Sequence, residues 1–306
     1  MNQTRTKPSK RAVNGVLLLD KALNVTSNTA LQQVKRLYRA EKAGHTGVLD
    51  PLATGLLPIC FGEATKFAQY LLDADKAYTA TLKFGERTET GDSDGAVIAT
   101  APVTFDEAQL QHTLAGFVRE IEQLPPMYSA LKHQGKALYE YARKGIEIER
   151  KTRLITIYQI ALLACDLPTA SIDVRCSKGT YIRTLAEDIA KAMDTEAHLI
   201  GLRRTQTAGF TLAQAHAFEA LNGQAEDDLD GLLLPCDVLV AHLPRISLDE
   251  TQVMRLQLGQ SVHLTPLCGT ITLHRIYSAD ERFIGLAHMQ ADGLLKVARL
   301  MSTAGA

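Results

Sequence analysis

The stretch 44–58, Gly44-His45-Thr46-Gly47-Val48-Leu49-Asp50-Pro51-Leu52-Ala53-Thr54-Gly55-Leu56-Leu57-Pro58, constrains this chain more than any other. It holds three glycines, two prolines and a single carboxylate. Glycine opens backbone angles that other residues resist. Proline fixes its own φ and turns the residue before it away from helix. Asp50 is therefore expected to be extended, at a stiff corner, with Val48, Leu49, Leu52, Leu56 and Leu57 anchoring that corner to a core. A lone acid so held suits a nucleophile or a general base. It also suits an Asx-turn before proline, and spacing alone favours the turn.

Around this loop the chain alternates between strand and helix patterns. Residues 15–21 read as a short buried strand ending in Asp20 and Lys21. Asn24 tolerates left-handed backbone angles. Ser27 or Asn28 can cap a helix whose apolar face is Ala30, Leu31, Val34, Leu37 and Tyr38, with Lys35, Arg36, Arg39 and Lys42 as a basic side. Residues 62–73 predict a second helix. Residues 76–84 alternate with period two, so Tyr78, Ala80, Leu82 and Phe84 share a face, and Tyr78 reads from this pattern as a core aromatic. The segment 90–95 has the look of part of a calcium loop but lacks its remaining acidic ligands, and is read as an acidic turn. A surface helix is expected over 105–117. A strand over 171–176 leads through Ser177-Lys178-Gly179-Thr180 into a helix over 181–193, and Arg183 in its first turn can pair with Glu187.

Residues 123–153 are rigid at Pro125-Pro126 and then basic. From Lys132 to Arg153 seven Lys or Arg face Glu140, Glu147 and Glu149, an excess of 7 − 3 = +4. Cations interleaved with tyrosines suit phosphate contact and stacking. Any nucleic-acid surface has to be such a local patch, because the net charge of the whole chain is −1. The acidic segment 219–230 reads as a boundary, and 245–300 as a small β-rich domain. The five cysteines form no C-x-x-C pair, which is expected of reduced thiols in a cytoplasmic protein. No apolar run is long enough to span a membrane. Residues 1–11 are basic without a following apolar segment and are read as a disordered tail, not a signal peptide. No His/Cys metal cluster or phosphate-binding loop appears.

The stretch 44–58 matches G-H-x-G-x-L-D-P-x-A-x-G-x-L-P at every fixed position. In this it resembles the TruB family of tRNA pseudouridine synthases, which modify uridine 55 of the T loop. The resemblance extends over 15–29, Tyr78, 127–143, 177–183 and 202–204, and weakens after about residue 209. One departure is Lys21-Ala22-Leu23-Asn24, where the family usually has Lys-Pro-x-Gly. The resemblance implies a mixed α+β catalytic domain over 12–240, with a mostly antiparallel central sheet. It further implies a mobile thumb over about 123–153 and a small PUA-like RNA-binding β domain over 245–306. It implies Asp50 and Arg183 as the catalytic pair, Arg183 lowering the pKa of Asp50. His45, Tyr78, Tyr181, Leu202 and Lys21 become substrate-site residues, and Arg203 and Arg204 phosphate cations. The implied substrate is the T arm of tRNA, bound by a cytoplasmic monomer with no cofactor, metal, membrane or protein partner.

Two other classes remain compatible with the residues themselves. An RNA-binding or tRNA-chaperone protein would need the basic segment but not Asp50. A nucleoside hydrolase would need a second carboxylate near Asp50, for which Glu63 and Asp92 are the candidates.

Overall fold

In the computed structural model, the described residues are 9–264 and 271–302. Their main element is a ten-stranded, mostly antiparallel sheet. Eight of its strands run in the order His216–Ala217, Gly15–Lys21, Ala53–Phe61, Ala197–Thr207, Lys76–Phe84, Thr169–Cys176, Arg153–Asp166 and Glu120–Gln123, and two more lie off this path, Phe210–Thr211 paired with Ala197–Thr207 and Ala43–His45 with Ala53–Phe61. Only the pairs of Gly15–Lys21 with His216–Ala217 and of Ala53–Phe61 with Ala197–Thr207 are parallel within this path.

The two most apolar strands are covered on both faces, which explains why they read as unbroken apolar runs. From Gly15–Lys21, Leu17 and Leu19 enter one core and Val16 and Leu18 another. From Ala53–Phe61, Leu57, Ile59 and Phe61 enter the first and Leu56 and Cys60 the second. The strand Lys76–Phe84 has only one covered face: Tyr78, Ala80, Leu82 and Phe84 are buried while Thr79, Thr81 and Lys83 are half-exposed. The helices Ser27–Leu37 and Ile182–Ala192 pack on the first core through Ala30, Leu31, Val34, Leu185, Ala186 and Ile189.

The C-terminal part is a five-stranded sheet in the order Arg245–Leu248, Thr272–Ser278, Phe283–Met289, Leu294–Leu300 and Val262–His263. The helix Glu250–Gln257 completes its own small core with Val253 and Leu256. Its other face joins the second core of the main sheet. Leu286 is wholly buried there, and the Phe67 and Phe283 rings meet edge to face at 5.2 Å. Lys66 Nζ donates to Leu300 O at 3.1 Å and to Ser302 Oγ at 2.8 Å, and Glu63 accepts from the Ser302 backbone N–H. Glu63 is thereby committed to joining the two parts.

Several local expectations change. The helix expected over 62–73 is a 3-10 turn, Gly62–Lys66, followed by a short helix, Gln69–Leu72. This broken course still buries Ala64, Phe67 and Leu71, which is what the apolar spacing recorded. The helix Ser27–Leu37 is capped by Thr26, whose side chain accepts from Thr29 N. Ser27 is left free to serve the Asp50 corner. The acidic segment 219–230 is folded against the sheet as Phe218–Leu221 and Glu226–Gly231, with Leu221 and Leu229 buried. Its carboxylates receive Arg11, on Asp230, and Arg39, on Glu226 at 2.7 Å. Most of the basic tail, residues 1–8, lies outside the described residues, as does Cys268.

Candidate active site

The corner at Asp50 is held from both sides. Ser27 Oγ donates to Leu49 O at 2.9 Å and accepts from Leu49 N at 2.8 Å. On the far side, Asn24 N donates to Pro51 O at 2.9 Å, and Lys21 Nζ reaches the same oxygen at 3.4 Å. Asn24 adopts φ +61°, the left-handed angle expected of it in place of glycine. Asp50 O accepts from Ala53 N at 3.0 Å, closing the turn. Leu49 and Leu52 are buried as expected, whereas Val48 is exposed and faces the cleft. Gly55, at φ +100°, is required where the loop re-enters the sheet: a Cβ there would lie 2.4 Å from Arg204 O.

This corner presents Asp50 to a cavity of about 230 Å³ lined also by Tyr78, Tyr181, Arg183 and Leu202. Arg183 Nη2 stands 3.1 Å from Asp50 Oδ2. The guanidinium is itself fixed, donating from Nη1 to Thr90 O at 2.7 Å and from Nη2 to Tyr128 O at 2.7 Å. Asp92 Oδ2 lies 3.8 Å from its Nε. Two carbonyls and two carboxylates thus surround one arginine, and the first turn of its helix faces the cleft. The pairing with Glu187 at helical spacing does not form.

Burial is the largest influence on Asp50 and raises its pKa; Arg183 opposes the rise, and Asp92 adds to it. The expected net lowering by Arg183 is therefore reversed, because desolvation of the carboxylate outweighs one shared cation. Burial also raises the Tyr181 and Tyr78 phenols and lowers His45. Lys21 is brought down to about 8 by burial, partly offset by Asp50. Its ammonium donates to Ala22 O at 3.0 Å and Val25 O at 2.5 Å as well as to Pro51 O. Lys21 lies behind the loop, not in the cavity wall. His45 likewise lies outside the cavity wall, on the short strand Ala43–His45, with Nδ1 buried and unpartnered.

The phosphate role expected of Arg204 is excluded by its burial. Arg203 is tied to Asp20 at 2.6 Å and to Thr54. Arg204 is 1 % exposed and donates to Leu56 O at 2.7 Å. Strand alternation sends these neighbours to opposite faces. The segment 90–95 is the turn expected, with Ser93 and Asp94 exposed, but its Asp92 is buried and accepts from Thr90 Oγ1 at 2.5 Å. Its one legible sign was Gly91, where a Cβ would stand 3.2 Å from Arg183 Cβ. Asp92 does not line the cavity, so no second carboxylate shares it with Asp50. Among the described residues no His/Cys/Asp/Glu group is arranged to hold a metal ion, and no helix is long and apolar enough to cross a membrane.

The segment 123–153 forms a two-strand ribbon, Lys132–His133 with Lys136–Ala137, and a short helix, Leu138–Ala142. Lys132, Lys136, Arg143 and Lys144 are exposed, and Arg143 lies 5.3 Å over the Tyr139 ring. Arg150 is spent within the segment on Pro125 O and Glu147.

A family model described as "TruB family pseudouridylate synthase (N terminal domain)" matches residues 35–182. Two C-terminal models, "tRNA pseudouridylate synthase B C-terminal domain" and "Pseudouridine synthase II TruB, C-terminal", match 183–241 and 244–301. The chain is 61 % identical over 299 residues to "tRNA pseudouridine synthase B" of Neisseria meningitidis serogroup B, covering 97 % of each chain. It is 50 % identical over 300 residues to the protein of the same name from Chromobacterium violaceum, covering 98 % of each. A solved Cbf5-Nop10-Gar1 complex contains a chain of the same fold, with a TM-score of 0.71 at 24 % identity over 94 % of this chain and 84 % of that one. With its three matched domains and full-length relatives, the chain belongs to the TruB family of pseudouridylate synthases.

Proposed function

We propose that the protein converts uridine 55 in the T loop of tRNA to pseudouridine, with Asp50 acting as nucleophile or base on a flipped-out uridine. The observation that carries this reading is the single Asp50 carboxylate, held by Arg183 at 3.1 Å, in a cavity walled by Tyr78, Tyr181 and Leu202. The name "tRNA pseudouridine synthase B" borne by full-length relatives supports tRNA as the substrate.

The chemistry needs little more. The N1–C1′ bond breaks, the uracil turns, C5 bonds to C1′, the C5 proton leaves and N1 ends protonated. Nothing is added or lost overall, so no cofactor is called for. Hydrolysis would instead ask for a second carboxylate to activate water, and Asp92 and Glu63 are both engaged elsewhere. A uridine within an RNA loop must leave its stack before its sugar can be reached. Tyr78 and Leu202 then bracket the base, Tyr181 contacts it from the helix start, and His45 guards the place it left. Arg183 keeps Asp50 oriented, and Lys21 holds the backbone on which Asp50 sits. The thumb cations bind the T-arm backbone, the C-terminal sheet acts as a PUA-like RNA-binding domain, and the enzyme works as a cytoplasmic monomer.

The experiment is tritium release from 5-tritiated uridine in tRNA and in an isolated T arm, with product nucleosides analysed in parallel. Release with pseudouridine at one T-loop position is expected. Free uracil would mark a hydrolase, and tight binding without release an RNA-binding protein.

A further inference from the structure

The strand Glu120–Gln123 ends on a residue that is 2 % exposed, although glutamine is seldom buried without partners. Both halves of the Gln123 amide are spent on one residue. Nε2 donates to Tyr181 O at 3.1 Å, and Oε1 accepts from Tyr181 N at 2.7 Å. A side-chain amide carries the same donor and acceptor as a peptide unit, so Gln123 meets Tyr181 as a neighbouring strand would. Met or Leu would fill similar space and make neither bond.

Tyr181 stands where such a hold matters. It is the N-cap of the helix Ile182–Ala192, with extended backbone at φ −100° and ψ 110°, and its own side chain makes no capping bond. Before it lies the loop 177–180, which turns at Gly179 with φ +79°. The Tyr181 N–H precedes the helix ladder, while its carbonyl accepts from Leu185 N at 3.0 Å. The helix therefore holds only the carbonyl side of the residue. Gln123 ties N–H and carbonyl together, which fixes φ and ψ and with them the direction of the Cα–Cβ bond. Tyr181 lines the cavity beside Asp50, and Gln123 does not. Gln123 also pairs with Arg153 at the root of the segment 123–153. Five residues along that segment, Tyr128 O receives Arg183 Nη2 at 2.7 Å. The first turn of the helix is thus built against the base of this segment at two points.

We propose that Gln123 is a positioning residue for the reaction: its amide holds the Tyr181 backbone in the orientation that aims the Tyr181 ring into the cavity, against the flipped uridine. Gln123 touches neither the cavity nor Asp50, so its effect on the rate passes through Tyr181. Arg183 has its own anchors in Thr90 O and Tyr128 O. The inference rests on the reading of Tyr181 as a contact of the target base.

The test is a double-mutant cycle of Gln123→Met and Tyr181→Leu, read as single-turnover rate at saturating tRNA, well below the melting midpoint of every variant, with filter binding alongside. Gln123→Met should slow the reaction by on the order of 10- to 100-fold, as a small misplacement of a contact group does. Its tRNA affinity should stay unchanged, because that affinity comes mainly from backbone phosphates. In the Tyr181→Leu background it should slow the reaction no further, because the ring it aims is gone. Independent, additive losses in the double variant would overturn the proposal. So would a wild-type rate for Gln123→Met, or a wild-type rate for Tyr181→Leu beside a slow Gln123→Met. If the Met variant does not fold, Gln123→Asn, which keeps the polar groups one methylene short of Tyr181, completes the same cycle with the same outcomes. Failure of the functional reading itself would show separately, as absent release by the wild-type enzyme or normal release by Asp50→Asn.

Discussion

Arg183 and Asp50 meet at 3.1 Å from unequal surroundings: the arginine side chain is 6 % exposed, the aspartate 37 %. The cation is fixed by Thr90 O and Tyr128 O before it meets the carboxylate. The pair is thus an anchored arginine steering a carboxylate that faces the cleft, in which little side-chain entropy remains to be lost when substrate enters.

Asp50→Asn should abolish tritium release while tRNA still binds, since an amide neither attacks carbon nor accepts a proton at neutral pH. Its stability should report the sign of the pKa shift. The folded-state pKa of Asp50 is raised above 3.8, so the favourable protonated form is fully present at low pH and lost as pH rises through the folded value. The Asn variant mimics that form, so it should be at least as stable as wild type at neutral pH and the gap should close in acid. Thermal melts from pH 4 to 8 check this; a variant less stable than wild type throughout would show that charge pairing, not burial, dominates.

Ser27→Ala tests the backbone clamp. The hydroxyl serves both Leu49 N and Leu49 O in a buried place, so its loss should cost about 1–3 kcal/mol. Single-turnover rate should fall with tRNA affinity unchanged, since Asp50 loses its preset corner. Equal rates for wild type and variant would show that Pro51 and the Lys21 contacts suffice.

Replacing Lys132, Lys136 and Arg143 together by Ala should weaken tRNA binding and flatten its dependence on salt, by roughly 0.7–0.9 in log–log slope for each phosphate no longer neutralised. The measurement is filter binding over a salt series. An unchanged slope would place these exposed cations away from RNA.

Removing the chain after Leu221 should destabilise the catalytic sheet and not merely weaken RNA binding. Val16, Leu18, Leu56 and Phe67 would lose the face that Leu286 and Phe283 cover. In the full chain, Leu286→Ala should cost about 2–5 kcal/mol and lower a single melting transition. Two separate transitions would show that the C-terminal sheet folds as its own unit.

Much of this protein was legible in its residues because it is recorded locally. Period-two alternation located the strand Lys76–Phe84, and helical spacing located Ser27–Leu37 and Ile182–Ala192. Glycine and proline chemistry marked the Asp50 corner, and the choice of Asn24 already implied a left-handed backbone there. These signals act over a few residues, through backbone angles and the side of an element that must be buried.

What only the tertiary structure decided lies in groups far apart in sequence. Ser27 had the appearance of a cap and serves Leu49; Glu63 read as a candidate second carboxylate and the segment 219–230 as a boundary, and both join parts of the fold. Arg203 and Arg204 are adjacent and equally basic, yet one pairs with Asp20 near the surface and the other is sealed under the Asp50 loop. The reason is physical: a charge takes its role from its solvation and its partners, and both are set by which strands and loops come to surround it.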